Sequence, residues 1–177
     1  MYRLILSLLA AAALLPPAVA GELPPIKADL DAVVESGVVR PVDGLTTSGQ
    51  PDEAALEVLT DNGFVAVIDL RGADEDRGID EQGIVDDLGM TYVSLPIEGR
   101  AALNFENARK LDEALAEFDG PVLIHCGSSN RAGALVALRA VLNGTDPEEA
   151  LQLGRSAGMT SLEQVVREQF EADEDDG

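Results

Sequence analysis

The stretch VLIHCGSSNRAGAL, residues 122–135, holds the only cysteine of the chain, Cys126, directly after its only histidine, His125. Val122 to His125 is a short apolar run, the pattern of a strand buried on both faces of a parallel sheet. From Arg131 to Leu142 the chain is apolar almost all round, which predicts a helix in the middle of the protein. Between them lie four small or polar residues, Gly127, Ser128, Ser129 and Asn130. A strand that runs through a short loop into a helix can aim several backbone N–H groups at one point, and the helix start adds partial positive charge there. Gly127 permits unusual backbone angles, and the serines are small enough for a tight nest. Arg131 can offer a two-pronged donor to an oxyanion. Gly133 is expected to let the helix pack closely on the sheet.

A cysteine at the centre of such a nest is held as the nucleophilic thiolate by the amides, the helix start and Arg131. The same features bind an anion and activate a nucleophile. Singly, each residue has a plainer reading. A cysteine after a buried strand is often a small core residue, and an arginine early in a helix is often a surface charge. The combination at this spacing points to a reactive site. His125 precedes the cysteine on a strand, so its side chain should face the opposite side of the sheet. It is expected to support or pack there, not to transfer protons.

Outward from this unit, strands and helices alternate. A strand is expected around Leu45 to Ser48. Pro51 should open a helix whose apolar stripe is Ala55, Leu56 and Leu59, with Gly63 ending it. The run FVAVIDL, 64–70, reads as a buried strand, followed by a charged loop, RGADEDRGIDEQ, and a short helix to about Leu88. MTYVSLPI, 90–97, is the next strand. A helix from about Asn104 should bury Phe105, Ala108, Leu111, Leu115 and Phe118 and stop at Gly120-Pro121. Beyond Gly144, Asp146-Pro147 is a helix start, and Thr160 with Glu163 a capping box for a last helix. The order argues for an α/β fold, a mainly parallel central sheet flanked by helices. In such folds ligands bind at the carboxyl ends of strands, where Cys126 falls.

The ends and composition set the context. Residues 1–20 carry Arg3, an apolar run and an Ala-Val-Ala pattern before Gly21, the marks of a signal peptide. The remaining chain is then an N-terminal extension over 21–44, with a short helix expected near Ala28 to Glu35. A domain follows over 45–170, and then an acidic, disordered tail over 171–177. The mature protein is expected to be exported, periplasmic or extracellular, with no later run of transmembrane length. The formal charge is −21, and lysine occurs only at Lys27 and Lys110. Such a surface repels nucleic acid and anionic lipid. It fits a salt-loving source or an ordinary acidic periplasmic protein. One cysteine makes no internal disulfide, so burial or reactivity must account for it.

HCGSSNRAG resembles the signature of cysteine-dependent protein tyrosine and dual-specificity phosphatases, His-Cys, five residues, Arg and usually a hydroxyl residue. Here only four residues separate Cys126 from Arg131, and Ala132 stands at the hydroxyl position. The phosphatase-like domain of bacterial beta-lactamase-hydrolase-like proteins is a closer match, with a cysteine loop of this length. Its members also resemble TSGQPDEAALEVLTDNGFVAVIDLR, 47–71, and the exported ones GMTSLEQVVREQF, 158–170. The resemblance implies a tyrosine/dual-specificity phosphatase-like fold and hydrolysis of a phosphoric monoester, from a small molecule or a protein. It implies that Cys126 attacks phosphorus, and that Arg131 with the amides of Gly127, Ser128, Ser129 and Asn130 holds the phosphoryl oxygens.

The family also uses a carboxylic acid from another loop to protonate the leaving group. Glu98 is the candidate after the 90–97 strand, though it equally fits a solvated surface glutamate. Asp74, Glu75 and Asp76 are a second place to look, with a solvated loop the plainer reading. Asp69 is expected to support local structure. The short loop also suits a rhodanese-like sulfurtransferase or persulfide carrier, or an anion-binding domain without turnover. No metal site is expected from one histidine beside one cysteine. No nucleotide fingerprint is present, no cofactor is implied, and the oligomeric state is open.

Overall fold

The computed structural model describes residues 40–42 and 45–176. The expected signal peptide and the helix expected near Ala28 to Glu35 lie outside the described residues. Five strands form one sheet: β1 (Arg40–Val42), β2 (Leu45–Ser48), β3 (Ala66–Asp69), β4 (Thr91–Ser94) and β5 (Val122–His125). Their order is β1-β2-β5-β3-β4. β2, β5, β3 and β4 run parallel, and β1 adds an antiparallel edge to β2. The fold is the α/β class that the alternation predicts, with β5 at the centre.

Six α-helices are described: α1 (Glu53–Asp61), α2 (Glu81–Asp87), α3 (Phe105–Leu115), α4 (Asn130–Leu142), α5 (Pro147–Ser156) and α6 (Glu163–Asp176). The pleat of the strands sorts their side chains between two cores. Val67 and Leu123 pack with Leu56, Leu59 and Val85 from α1 and α2. Ala66, Ile68, Val122, Ile124 and Cys126 face the other side, against α3, α4, α5 and α6. α4 is the axis of that larger layer, touching α3, α5 and α6. Eight of its thirteen residues are buried, which explains its all-round apolar sequence. Phe105 and Phe170, ring centres 6.2 Å apart, join α3 to α6.

Several local details differ from the sequence reading. Asp52, not Pro51, starts α1, its side chain accepting from the Ala55 N–H. Its short carboxylate satisfies an orphan donor of the first turn, which proline cannot do. β4 is shorter than expected and only half-buried, as suits a sheet edge that ends before Pro96. α3 stops at Leu115, well before Gly120-Pro121, and Phe118 packs on the core from the turn beyond it. No capping box forms before α6. The helix begins only at Glu163, and the Thr160 N–H donates to Asn130 Oδ1 at 2.8 Å. The described backbone of α6 stays helical to Asp176, through most of the segment expected to be disordered. Asp146, with Pro147 at the first helical position, does cap α5.

Candidate active site

Cys126 follows the last residue of β5 and is 1% exposed. Its N–H donates to Ser48 O at 3.4 Å, continuing the pairing of β5 with β2. Gly127 and Ser128 then come to the surface, so the thiol lies beneath the mouth of the loop. The loop is held from the β2 side: the Gln50 N–H donates to Gly127 O at 3.4 Å, and Gly49 bridges to Ser128.

The turn into α4 is made by Ser129, not by Gly127. Ser129 has a left-handed φ of 65°, the only positive φ at a non-glycine position among the described residues. That conformation costs a residue with a side chain about 1 kcal/mol. Its surroundings hold it there. Ser129 is 2% exposed, and its Oγ donates to Ala157 O at 2.7 Å. Thr47 Oγ1 donates to the same carbonyl at 2.9 Å. The turn after α5 thus braces the loop from behind. Asn130 adds to it, accepting from the Thr160 N–H and donating from Nδ2 to Ser161 Oγ. Gly133 serves this contact too, and not the sheet as expected. A Cβ there would fall on Met159 N and Gly154 O, so glycine is what lets α4 approach α5.

Arg131, in the first turn of α4, reaches back over the loop and lies beside Cys126. Its Nη1 donates to Leu70 O at 3.4 Å and Ile97 O at 3.3 Å, the ends of two neighbouring strand segments. Glu75 takes the outer edge of the guanidinium, with Nη1–Oε1 at 2.5 Å and Nη2–Oε2 at 2.7 Å. This bidentate contact raises the Arg131 pKa and holds the Glu75 carboxyl down at about 2. Glu75 was expected in a solvated loop. Instead the loop is folded on itself: Gly72 N–H donates to Glu75 Oε1, and Arg71 Nε approaches Glu75 Oε2 at 3.4 Å. Arg77 Nη1 donates to Glu75 O at 3.1 Å. Nothing in the local sequence marks the pairing, because its partners are 56 residues apart. Glu98 is exposed and lies against Gly72, one residue beyond the carbonyl that anchors Arg131.

His125 faces the opposite side of the sheet from Cys126, as the strand alternation requires. It is fully buried, with Nε2 at 2.8 Å from Glu81 Oε1 and 3.7 Å from Asp69 Oδ1. The ring is turned so that neither nitrogen, nor Glu81 Oε1, has a well-directed hydrogen bond. Asp69 supports structure: it accepts from the Arg71 N–H, from Arg77 Nε and from Tyr92 Oη. Burial, then the bond to Asp69, raises the Tyr92 pKa. Asp69, Glu81 and His125 are a donor set that could hold a metal ion, which sequence reasoning did not foresee. It was invisible because Glu81 comes from another element. Arg77 already supplies positive charge there, 2.6 Å from Asp69 Oδ2 and 3.9 Å from Glu81 Oε2. Arg77 thus offsets part of the carboxylate charge that an ion would otherwise meet.

A strand-end cysteine beneath a helix start, with an arginine curled over it, is the geometry of an oxyanion-handling thiol. Comparison with known proteins leads the same way. Residues 42–173 match the family model described as DSP-PTPase phosphatase fused to NAD+ kinase. The beta-lactamase hydrolase-like protein of Agrobacterium fabrum is 32% identical over 60% of this chain and 25% of its own length. That of Xylella fastidiosa is 30% identical over 64% of this chain and 27% of its own. The chain thus spans about a quarter of these curated relatives. Among solved structures, a Neisseria meningitidis phosphatase candidate has a TM-score of 0.65 at 20% identity. The alignment covers 76% of this chain and 97% of that one. Tk-PTP in its active form gives 0.58 at 26% identity, over 75% and 96% of the two chains. Pseudomonas aeruginosa TpbA, solved with phosphotyrosine, gives 0.53 at 22%, over 73% and 85%. The match over most of the chain, on the fold and loop geometry described, places it in the DSP-PTPase phosphatase family, with beta-lactamase hydrolase-like proteins among its relatives.

Proposed function

We propose that the protein hydrolyses phosphoric monoesters through a phosphocysteine intermediate. The observation that carries this reading is Cys126 at the carboxyl end of the central strand, beneath the start of α4 and beside a rigidly anchored Arg131. Cys126 attacks phosphorus, displacing the alcohol or phenol. Arg131 and the amides of residues 127–130 hold the non-bridging oxygens as negative charge gathers on them. Water then attacks the phosphocysteine, releasing phosphate and the thiolate. The substrate is a phosphorylated small molecule or protein, met after export to the periplasm or beyond.

Glu98 is the proposed proton donor to the leaving group. Glu75 is excluded from that part, because a carboxyl held at about 2 has no proton to give near neutral pH. Glu98 is solvent-exposed and lies against Gly72, one residue beyond Ile97, whose carbonyl accepts from Arg131.

The test is phosphate release from an activated aryl phosphate by the mature protein, its Cys126→Ser variant and its Glu98→Gln variant. Turnover by the wild type and none by Cys126→Ser is the expected result. Glu98→Gln should lose about 10²–10⁴-fold on esters with poor leaving groups and little on activated ones. A Cys126→Ser enzyme that matches the wild type, or a wild type with no turnover, overturns the phosphatase reading. Transfer of sulfur from thiosulfate to Cys126 would then be measured on the same thiol.

A further inference from the structure

Gln50 lies in the turn after β2 and touches both sides of the nucleophile loop. Its backbone N–H donates to Gly127 O. Its side-chain Nε2 donates to Glu81 Oε2 at 3.0 Å, and its Oε1 accepts from Arg71 Nη1. From Glu81 the contacts continue to His125, the residue before Cys126. From Arg71 they continue to Glu75 and so to Arg131. Donors and acceptors alternate from Glu81 through Gln50, Arg71 and Glu75 to Arg131, and the step from Glu81 to His125 is a close contact. His125 and Arg131 also bound the loop covalently, so side chains and backbone close a ring around Cys126. The ring passes round the carboxyl end of the sheet and joins its two faces. Gln50 joins the two arms of the ring, and its amide donates to a carboxylate on one side while accepting from a guanidinium on the other.

We propose that Gln50 is a positioning residue for the oxyanion clamp: through Arg71 and Glu75 it sets the direction in which Arg131 presents its guanidinium over Cys126. The inference rests on the reading of Cys126 and Arg131 as an oxyanion site. Arg71 is 8% exposed and also holds the loop at Asp76 O, so it cannot readily turn to another acceptor. Without the Gln50 carbonyl, its Nη1 is left buried without that partner. Arg71 then shifts, and Glu75 shifts with it. The consequence belongs in anion affinity, because Arg131 contacts the anion and Gln50 does not.

The probe is inorganic phosphate, read by how well it shields Cys126 from alkylation by iodoacetate, scored by mass on the mature protein. This readout needs no turnover. In the wild type phosphate should protect the thiol, and Arg131→Ala should abolish protection. Gln50→Met, which keeps the length and removes the amide, should raise the half-protecting phosphate concentration about tenfold. In a Glu75→Gln background the same change should add almost nothing, because the path is already cut. Gln50→Glu should also weaken protection, by setting a second carboxylate against Glu81. Pairing it with Glu81→Gln reverses donor and acceptor across the same gap and should restore protection.

An unchanged half-protecting concentration in Gln50→Met overturns the inference, as does an equal loss in both backgrounds. Failure of the paired variant to recover where Gln50→Glu alone is impaired also counts against it. If phosphate does not protect the wild type, or protects Arg131→Ala equally, the oxyanion-site reading itself fails and the inference falls with it. Should Gln50→Met prove unfolded by its melting curve, the charge-reversal pair decides the matter alone.

Discussion

At the scale of single residues, two side chains hold the site under opposing terms whose sizes can be compared. Ser129 gains a hydrogen bond to Ala157 O and tolerates a left-handed backbone. The bond is worth about 1 kcal/mol net, and the conformation costs about as much. Ser129→Gly loses both and should be near neutral. Ser129→Ala loses the bond and keeps the strain, so it should be less stable than either by about 1 kcal/mol in urea unfolding. Equal stabilities for the two variants would mean that the Oγ bond contributes nothing. Glu75 carries a pH signature. Its folded pKa, about 2, lies below the ordinary glutamate value of 4.5, so ionised Glu75 favours the folded state. That contribution is fully present above about pH 4.5 and is lost as pH falls toward 2. Its side chain is 37% exposed, so screening limits the effect to about 1 kcal/mol or less. The stability advantage of the wild type over Glu75→Gln should therefore be flat from pH 7 to 5 and shrink below that. An advantage that stays constant to pH 3 would rule out the ion pair as its source.

At the scale of elements, most boundaries are legible because they depend on local chemistry. Gly63 and Gly144 end α1 and α4 with φ of 81° and 87°, values that glycine adopts without strain. Asn104 and Asp146 cap α3 and α5 through their own side chains. Thr160 misleads for the same kind of reason. Its spacing to Glu163 suits a capping box, but Asn130, from another helix, takes its N–H first. Gly133 shows a tertiary contact overriding propensity, and it yields a prediction with a definite sign. In an isolated helix, Gly→Ala gains about 1 kcal/mol. Here the added methyl would lie 2.3 Å from Met159 N and 2.5 Å from Gly154 O. Both are backbone atoms and cannot rotate aside, so α4 and α5 would have to separate. Overpacking of this kind costs about 1–3 kcal/mol, which exceeds the helix gain. Gly133→Ala should lower Tm and, because α5 leads into the Ala157 turn behind Ser129, also weaken phosphate protection of Cys126. A raised Tm would show that the α4–α5 contact is loose.

At the scale of the whole molecule, the sequence reveals the layers and the Cys126 loop but not the partners that cross between them. Alternating elements and the Cys126-to-Arg131 spacing are read along the chain. The antiparallel β1 edge, the strand order and the Glu75–Arg131 contact depend on which distant segments meet, and no local pattern encodes that. The grip of Ala157 on Thr47 and Ser129 belongs to the same class. One global property does follow from composition alone. With a formal charge of −21, the folded chain confines many like charges that unfolding would spread apart. Salt acts on this in two opposing ways. It screens repulsion across the surface within about 10 Å at 0.1 M, and it weakens attractive pairs such as Glu148–Arg167 and Glu106–Lys110. Exposed pairs of that kind contribute little, and the 33 acidic residues far outnumber the 12 basic ones. Relief of repulsion should therefore win, and Tm should rise steadily as sodium chloride is raised from about 0.01 to 1 M, where the screening length falls from about 30 to 3 Å. The Glu75–Arg131 pair is partly buried and should be the last to feel added salt, so Glu75→Gln should keep the slope of the wild type. A Tm that falls with salt would mean that attractive pairs govern stability despite the excess of negative charge.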